Sequence, residues 1–159
     1  MTLPPFPSTI DADMMRISTK GRYALRIMLD LAEHASRVPV SLRDVAERQH
    51  ITPKYMESIM AILLREGLVT SVRGKAGGYR LARSAEQYTA YDILEAAEGD
   101  LVPVQCLAQS ENTCALRESC ATLPVWQGLA DVIRDYLQSV TLADMRERSH
   151  GSLTYCDGI

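Results

Sequence analysis

The chain has 159 residues, of which 47% are hydrophobic and 23% are charged, and its formal net charge is −3. A chain of this length and apolar content can bury one compact core, which excludes a disordered polypeptide. Its apolar runs fall short of the roughly 20 residues that span a bilayer, and no basic-then-apolar leader precedes them, so we expect a cytoplasmic protein without a membrane partner.

The start of the chain predicts a disordered extension followed by a helix. Residues 1–14 carry three prolines and two aspartates without periodicity. From Ser18 or Thr19 to about Ala35, apolar side chains recur at helical spacing. Side chains and free N–H groups at the start of this helix can bind phosphate, although solvated polar groups are an equally good interpretation. These candidate groups are Arg16, Ser18, Lys20 and Arg22.

Two short helices joined by a tight turn are predicted between residues 41 and 66. Ser41 and Asp44 form a capping box, and the helix that they start should end near Gln49. After a compact turn, Thr52 can cap the second helix, in which Pro53 takes the first position because its missing N–H costs nothing there.

The second helix has one apolar face and one polar face. Its apolar side chains recur at helical spacing and should face the core; they are Met56, Ile59, Met60 and Leu63. A step of about 100° per residue places the remaining side chains outward or on the flanks: Lys54, Tyr55, Glu57, Ser58, Ala61 and Arg65. Lys and Arg bind guanine, Glu accepts from cytosine, and Ser or Tyr reach phosphate, so this face suits a DNA major groove.

A glycine-rich hairpin follows, with strands over 68–72 and 79–81, and it carries Arg73, Lys75 and Arg80. The combination predicts a mainly α protein with a small β-hairpin wing, whose winged helix-turn-helix domain over 15–85 binds double-stranded DNA. The alternative is an ordinary αα-hairpin with a solvated loop.

The charge distribution agrees with this location for a DNA-binding surface. Residues 15–83 hold 13 Lys/Arg against 6 Asp/Glu, whereas residues 84–159 hold 4 against 12. Neutralising phosphates requires a local basic surface, and the acidic second half disfavours binding through the wrong face. A charged run usually marks only a solvated surface, but here the asymmetry coincides with the motif.

Residues 86–121 are predicted to form a short helix and a sensor loop. Thr89 and Asp92 make a capping box for a helix that Gly99 ends. The connection that follows lacks clean periodicity and contains Cys106, Cys114 and Cys120. Loops of this length in small domains are usually functional or disordered.

A long helix begins near Leu123, and its apolar side is too broad for one small domain. We predict that residues 122–146 form a dimerisation helix, so that a homodimer holds two recognition helices one DNA turn apart on a palindromic operator. The alternative is a helix folded back on its own domain. Thr141 and Asp144 should cap a final short turn, and residues 147–159 should be a flexible tail.

Several strings resemble the iron–sulfur cluster regulator family, also called the Rrf-two family. They are the segments 15–24, 72–74, 77–79 and 93–99, and the likeness covers roughly residues 15–145. The resemblance implies a dimeric bacterial transcription regulator, either a repressor or an activator, rather than an enzyme. It also implies contacts with operator DNA by Tyr55, Glu57, Ser58 and Arg73.

By the same resemblance, cluster-binding members place three cysteines in the loop where this chain has Cys106, Cys114 and Cys120, although its first gap is two residues longer. Such thiolates suit an iron–sulfur cluster, [2Fe–2S] or [4Fe–4S], because soft sulfur ligands hold these metals. Leu123 stands where one cluster regulator has histidine, and Arg22 stands where other members have an acidic residue. The fourth ligand is therefore open among Cys156, Glu111, Glu118, His34 and an exogenous thiol or water.

Other hypotheses for the loop are zinc, a redox-switched disulfide and inert thiols. A metal-free regulator of the same family would instead respond to a thiol redox change, a small metabolite or a partner protein. An enzyme with Cys114 or Cys120 as nucleophile is disfavoured, because a nucleophile needs a base and no histidine lies near these residues in sequence.

Overall fold

The computed structural model describes residues 17–35, 38–74, 76–108, 112 and 114–151. The predicted extension over 1–14, Arg16, Lys75, Glu111, Cys156 and the end of the predicted tail lie outside these residues. The helices and strands are α1 (Thr19–Glu33), α2 (Leu42–Gln49), α3 (Pro53–Arg65), β1 (Val69–Val72), β2 (Gly78–Leu81), α4 (Ala90–Glu98), α5 (Leu123–Ser139) and α6 (Leu142–Gly151), with 3₁₀ turns at Ala85–Gln87 and Gln105–Leu107. The predicted mainly α class with one β-hairpin is confirmed.

The α2–α3 pair begins and ends where its capping residues require. The Ser41 hydroxyl accepts a hydrogen bond from the Asp44 N–H, and His50 ends α2 in the left-handed region at φ 54°. Thr52 lies at the N-cap position of α3, but its side chain makes no capping hydrogen bond, which corrects the predicted role. Pro53 suffices to start that helix, because its fixed φ already suits the first turn.

The wing is an antiparallel hairpin in which Val69 pairs with Leu81 and Val72 pairs with Gly78. A third segment joins its edge, since Val40 and Tyr79 exchange backbone hydrogen bonds of 3.0 and 2.8 Å. Gly78 permits this approach, because a Cβ at that position would lie 2.7 Å from the Val40 carbonyl carbon. The hairpin is thereby fixed to the segment that leads into α2.

The core lies between α1, α3 and α4. The predicted inward face of α3 is confirmed, because Met56, Ile59, Met60 and Leu63 are at most 1% exposed. Each such side chain contributes roughly 1.5–3 kcal/mol through burial. Tyr88 is equally buried and donates its hydroxyl hydrogen to the Leu68 carbonyl at 2.7 Å, so it joins the base of the wing to the core.

The C-terminal region differs from the prediction of a final short turn and a tail over 147–159. Thr141 and Asp144 do form the capping contacts, but α6 continues for ten residues to Gly151. Leu142 is fully buried, and its N–H donates to the Tyr88 carbonyl at 2.9 Å. This anchoring holds a helix whose polar sequence gave little periodic signal, so residues 147–151 are helical and the predicted segment 122–146 spans two helices.

Within the part of the chain that the structure describes, no helix combines the length and the apolar character needed to cross a bilayer.

Candidate nucleic-acid interface and cysteine loop

The outward face of α3 presents the predicted DNA-contacting side chains on one exposed surface: Lys54, Glu57, Ser58, Ala61 and Arg65, with Tyr55 half-buried beside them. Two of these groups already have partners. The Ser58 hydroxyl donates to the Tyr55 carbonyl at 2.7 Å, and Arg65 pairs with Glu66 at 2.8 Å. Lys54 and Glu57 lie near the N-terminal end of the helix, where recognition helices contact base edges.

Tyr55 packs against Tyr23 of α1, and Tyr23 in turn contacts Arg26, a pair that the sequence did not indicate as support for Tyr55. The rings of Tyr55 and Tyr23 meet edge to face at a centroid distance of 5.8 Å. The guanidinium carbon of Arg26 lies 5.2 Å from the centre of the Tyr23 ring, and the same group hydrogen-bonds Gln49. Tyr23 and Arg26 are three residues apart on a helix, and this spacing was the available signal that they share a face.

The wing places Arg73 and Arg80 on exposed positions at its tip and on its second strand. Arg80 pairs in register with Thr70, so its side chain extends from the hairpin surface. The turn is tight: Gly74 has φ 116°, and a Cβ at Gly77 would collide with the Val72 carbonyl oxygen. The hairpin therefore carries cations on a short, constrained backbone beside α3.

The hydrogen-bond donors at the start of α1 are bonded to a side chain of the same protein. The Ser18 hydroxyl caps the helix at Lys20, and it also donates to a Glu98 carboxylate oxygen at 2.6 Å. That oxygen accepts from the Ser18 and Gly21 N–H groups as well, at 3.0 and 2.8 Å. In this conformation a carboxylate already accepts from these donors, and its charge opposes that of a phosphate, while the contact of Ser18 with DNA stays a prediction.

Glu98 connects two functional regions of the fold. It is the last residue of α4, and Gly99, with φ 84°, starts the segment that leads to the cysteines. A Cβ at Gly21 would collide with the Glu98 carboxylate, so only glycine allows this contact. The loop therefore begins at a residue that is bonded to the start of α1, 77 to 80 positions away in sequence.

The three loop cysteines occupy separate local structures. Cys106 lies half-buried on a 3₁₀ turn, Cys114 is exposed, and Cys120 is half-buried just before α5; all three are free thiols. Among the residues described, no three histidine, cysteine or carboxylate side chains stand close enough to hold one metal ion. The donor type suits a soft metal, but this conformation does not bring the predicted ligands together.

The described candidates for a fourth ligand are otherwise engaged. Glu118 lies 3.8 Å from Arg117, and His34 lies at the end of α1 beside the buried Asp30. Arg22 is exposed and donates to the Thr19 hydroxyl at 3.3 Å. In this conformation neither Glu118 nor His34 is directed to a metal site.

Cys120 is the cysteine with a chemically distinct environment. Its sulfur lies 3.4 Å from the Thr122 hydroxyl, at the start of the 17-residue α5. Hydrogen bonds from the Thr122 side chain, and then from the backbone N–H groups of Thr122 and Leu123, hold the pKa of the thiol below its usual value. This environment stabilises the thiolate, which is the reactive and metal-binding form.

The apolar residues of α5 separate into two faces. Trp126, Ile133 and Leu137 are partly covered, and Ala130 is the one buried residue of the helix. A second stripe stays open to solvent, with Val125 62%, Leu129 43%, Val132 64% and Tyr136 62% exposed. The spacing of four, three and four residues is typical of a helix that packs against another helix.

Comparison with known proteins decides the family. The Rrf2 family model, described as an iron-dependent transcriptional regulator, matches residues 17–148. The chain belongs to the Rrf2 family. This confirms the resemblance found in the sequence and identifies a family of transcriptional regulators rather than enzymes.

Individual relatives agree over most of their length. The protein rrf2 of Nitratidesulfovibrio vulgaris is 40% identical over 137 residues, which are 85% of this chain and 90% of that protein. The structure of CymR, the global cysteine regulator of B. subtilis, matches 85% of this chain and 98% of its own, with a TM-score of 0.69 and 33% identity. The T. potens IscR structure matches 90% of this chain and 93% of its own, with a TM-score of 0.67 and 35% identity.

Proposed function

We propose that this Rrf2-family regulator binds a palindromic operator as a homodimer, and that a group bound by its three loop cysteines controls this binding. The observation that carries the proposal is the position of an exposed polar helix face beside a cationic hairpin, in the half of the chain that has excess Lys and Arg. The family model, which describes a transcriptional regulator, supports the DNA-binding part.

In this proposal α3 enters the major groove and the wing contacts the neighbouring backbone. Lys54 and Glu57 bind base edges, where an ammonium donates to guanine and a carboxylate accepts from a cytosine amino group. Tyr55, Ser58 and Arg65 add contacts along the helix. Arg73 and Lys75 neutralise phosphates, which contributes affinity that falls as salt concentration rises. Lys20 remains a candidate phosphate ligand on the adjoining start of α1.

The homodimer forms through the exposed stripe of α5. Val125, Leu129, Val132 and Tyr136 lie within about 60° of one another around the helix axis, so a second copy can cover all four at once. A two-fold axis through this contact presents two α3 helices to one duplex, and this symmetry is what a palindromic operator requires.

An iron–sulfur cluster is the group that the loop's donor set suits. Cys106, Cys114 and Cys120 would hold it, and the family's description as iron-dependent supports this assignment. When bound, such a cluster would make the loop sensitive to oxidants and to iron limitation, because either can remove the cluster. In this chain, Glu98 links the start of the loop to α1 through three hydrogen bonds, so a rearranged loop acts on the DNA-binding domain at that contact.

A metal-free thiol switch is the second candidate. The lowered pKa of the Cys120 thiol, caused first by its hydrogen bond with Thr122, favours a reactive thiolate. The similar structure of a global cysteine regulator supports the same hypothesis. In this case oxidation joins Cys120 to a second thiol, with the two electrons passing to the oxidant and two protons released.

The DNA-binding proposal is tested by selecting bound duplexes from a randomised library. The protein should enrich a palindromic sequence, and Glu57→Ala should relax the preference at one position in each half-site while leaving the rest intact. Glu147→Ala, which removes the same charge from an exposed position on α6, is the matched control. Failure to enrich any sequence would contradict the proposal.

The cluster proposal is tested by anaerobic reconstitution with iron and sulfide. We expect visible sulfide-to-iron charge-transfer bands and bound iron and acid-labile sulfide, all lost in Cys106→Ala, Cys114→Ala or Cys120→Ala. Loss of these signals in Cys156→Ala as well would assign the fourth ligand to Cys156. If no bands form, yet peroxide changes duplex affinity and a thiol reductant reverses the change, the second candidate replaces the first.

A further inference from the structure

Arg26, on α1, bridges the turn of the helix-turn-helix and the aromatic support of the recognition helix. Resting on the proposed DNA contacts of α3, we infer that Arg26 is a positioning residue: it sets the orientation of Tyr55 and of the α2–α3 turn, and thereby determines operator discrimination. Its effect passes through other side chains and requires no contact with the DNA.

The first contact of Arg26 fixes the end of α2. Its Nε donates to the Gln49 side-chain oxygen at 3.0 Å, and its Nη2 donates to the Gln49 carbonyl at 3.1 Å. Gln49 is the last residue of α2, and His50 beyond it has a left-handed backbone. One guanidinium thus holds both the side chain and the backbone of the residue at which the chain turns towards α3.

Gln49 is fixed from a second direction by the protein interior. Its side-chain nitrogen donates to the Asp30 carboxylate at 2.9 Å, and Asp30 is 1% exposed. Arg48 donates to both oxygens of that carboxylate, at 2.9 and 2.6 Å. Asp30 and Arg26 lie four residues apart on α1. The end of α2 is therefore hydrogen-bonded to two side chains that are one turn apart on α1.

The second contact of Arg26 supports the recognition helix. Its guanidinium carbon lies 5.2 Å from the centre of the Tyr23 ring, and the Tyr23 ring meets the Tyr55 ring at 77° with centroids 5.8 Å apart. A cation over an aromatic face is attracted by the ring's electrons, and it restricts the rotation of that ring. Tyr23 therefore gives Tyr55 a fixed surface to pack against.

Only an arginine can make both contacts at once. The planar guanidinium offers two donors in its plane and a flat face for stacking. A lysine ammonium carries the same charge but has neither paired in-plane donors nor a flat face. Arg26→Lys therefore preserves long-range attraction to phosphate while it releases Gln49 and Tyr23. Its predicted effect falls on sequence discrimination and leaves general attraction to DNA unchanged.

The experiment measures affinity of the full-length protein for the selected duplex and for a scrambled duplex of equal composition, across a salt series. For Arg26→Lys we expect operator affinity to fall by about tenfold, the size of one impaired base contact, with scrambled-duplex affinity and the salt slope unchanged. Arg43→Lys is the matched control, because the exposed Arg43 side chain pairs with Glu47 on its own helix, α2, and should alter neither the affinity ratio nor the salt slope.

A double substitution separates positioning from a direct contact. If Arg26 acts partly through Tyr55, the combined loss in Arg26→Lys/Tyr55→Ala should be smaller than the product of the two single losses. Equal losses on operator and scrambled duplexes, multiplicative losses in the double variant, or an unchanged Arg26→Lys would each overturn the inference. Absence of any sequence preference in the unsubstituted protein would instead refute the proposed function itself.

Discussion

The region from α1 to α4 and the region beyond α4 differ in how much of their apolar surface is buried within one copy of the chain. From α1 to α4, each helix buries an apolar face within the same protomer, and α3 alone contributes four fully covered side chains. In α5, which is longer than either α2 or α3, Ala130 alone is buried and four large apolar side chains are exposed. The first region buries its apolar faces within one copy of the chain, whereas α5 leaves part of its apolar surface exposed to solvent.

Buried polar groups do not distinguish the two regions, because no buried side-chain polar atom of the described residues lacks a hydrogen bond; the buried Asp30, for example, has Arg48 and Gln49 as partners. The thiols do distinguish them, because the three described cysteines all lie beyond α4 and none forms a disulfide. Free thiols and an exposed apolar stripe are features with which a regulator can bind an effector and a second copy.

The largest expected effect comes from truncating the same residue type in each region. Leu63→Ala, at a fully buried position of α3, should lower the free energy of unfolding by about 2–5 kcal/mol, because it leaves a cavity. Leu116→Ala, in the cysteine loop at 66% exposure, should change it by less than about 0.5 kcal/mol. Urea unfolding followed by circular dichroism measures the free energy of unfolding of both variants. Equal losses of that free energy would refute the difference between the two regions.

The next effect concerns the α5 stripe. Val132→Glu should weaken the homodimer by roughly 100-fold, because two copies would bury unpaired carboxylates at the contact. Gln127→Glu adds the same charge to an exposed position about 160° around the helix from the stripe centre and should leave association unchanged. Sedimentation equilibrium measures the association constants, and dimerisation by Val132→Glu as strong as that of the unsubstituted protein would exclude this interface.

A smaller effect is expected where the two regions meet. Glu98→Gln keeps an acceptor near the Ser18 and Gly21 amides but loses the charge that suits a helix N-terminus, so stability should fall by about 1 kcal/mol. Glu95→Gln is the control on the same helix, since the exposed Glu95 side chain accepts a hydrogen bond from the Tyr91 hydroxyl, one turn earlier on α4. Identical denaturation midpoints for the two variants would show that the Glu98 contact contributes nothing particular.

The smallest effect is a change in the pH dependence of one thiol. The Thr122 hydrogen bond lowers the pKa of Cys120, so its thiolate should persist to lower pH than that of an ordinary cysteine. Alkylation of the metal-free protein by iodoacetamide, followed by mass spectrometry of the Cys120 peptide, gives the midpoint. Thr122→Val should raise that midpoint, and an unaltered profile would remove the assigned cause.

Local patterns predicted most of the fold. The capping box of Thr89 with Asp92 and the apolar spacing from Met56 to Leu63 each determine a structure within a few residues of themselves, and both are confirmed. Ser41 caps α2 as predicted, but the contacts described contain only one half of its capping box, the hydrogen bond from the Asp44 N–H to the Ser41 hydroxyl. The wing could also be predicted from local sequence, because its glycines and flanking β-branched residues specify a hairpin.

Contacts between distant residues could not be found in this way. The Ser18 hydroxyl donates to Glu98, 80 residues later in the chain, and the local pattern at the start of α1 does not indicate this partner. Arg26 and Gln49 are 23 positions apart in sequence, and neither position carries a pattern that connects them. The extent of α6 likewise depends on the burial of Leu142 against other elements, which its own polar sequence does not indicate.

We propose that a cluster bound by the cysteine loop changes the affinity with which the winged helix-turn-helix region binds its operator. Fluorescence anisotropy of the selected duplex should be measured under anaerobic conditions with one preparation, first reconstituted with iron and sulfide and then stripped by a chelator. The account predicts dissociation constants that differ by about tenfold or more, a coupling of the usual allosteric size, with no difference for the triple variant of Cys106, Cys114 and Cys120 to Ala. Identical constants before and after stripping, in a protein shown to have held the cluster, would contradict it.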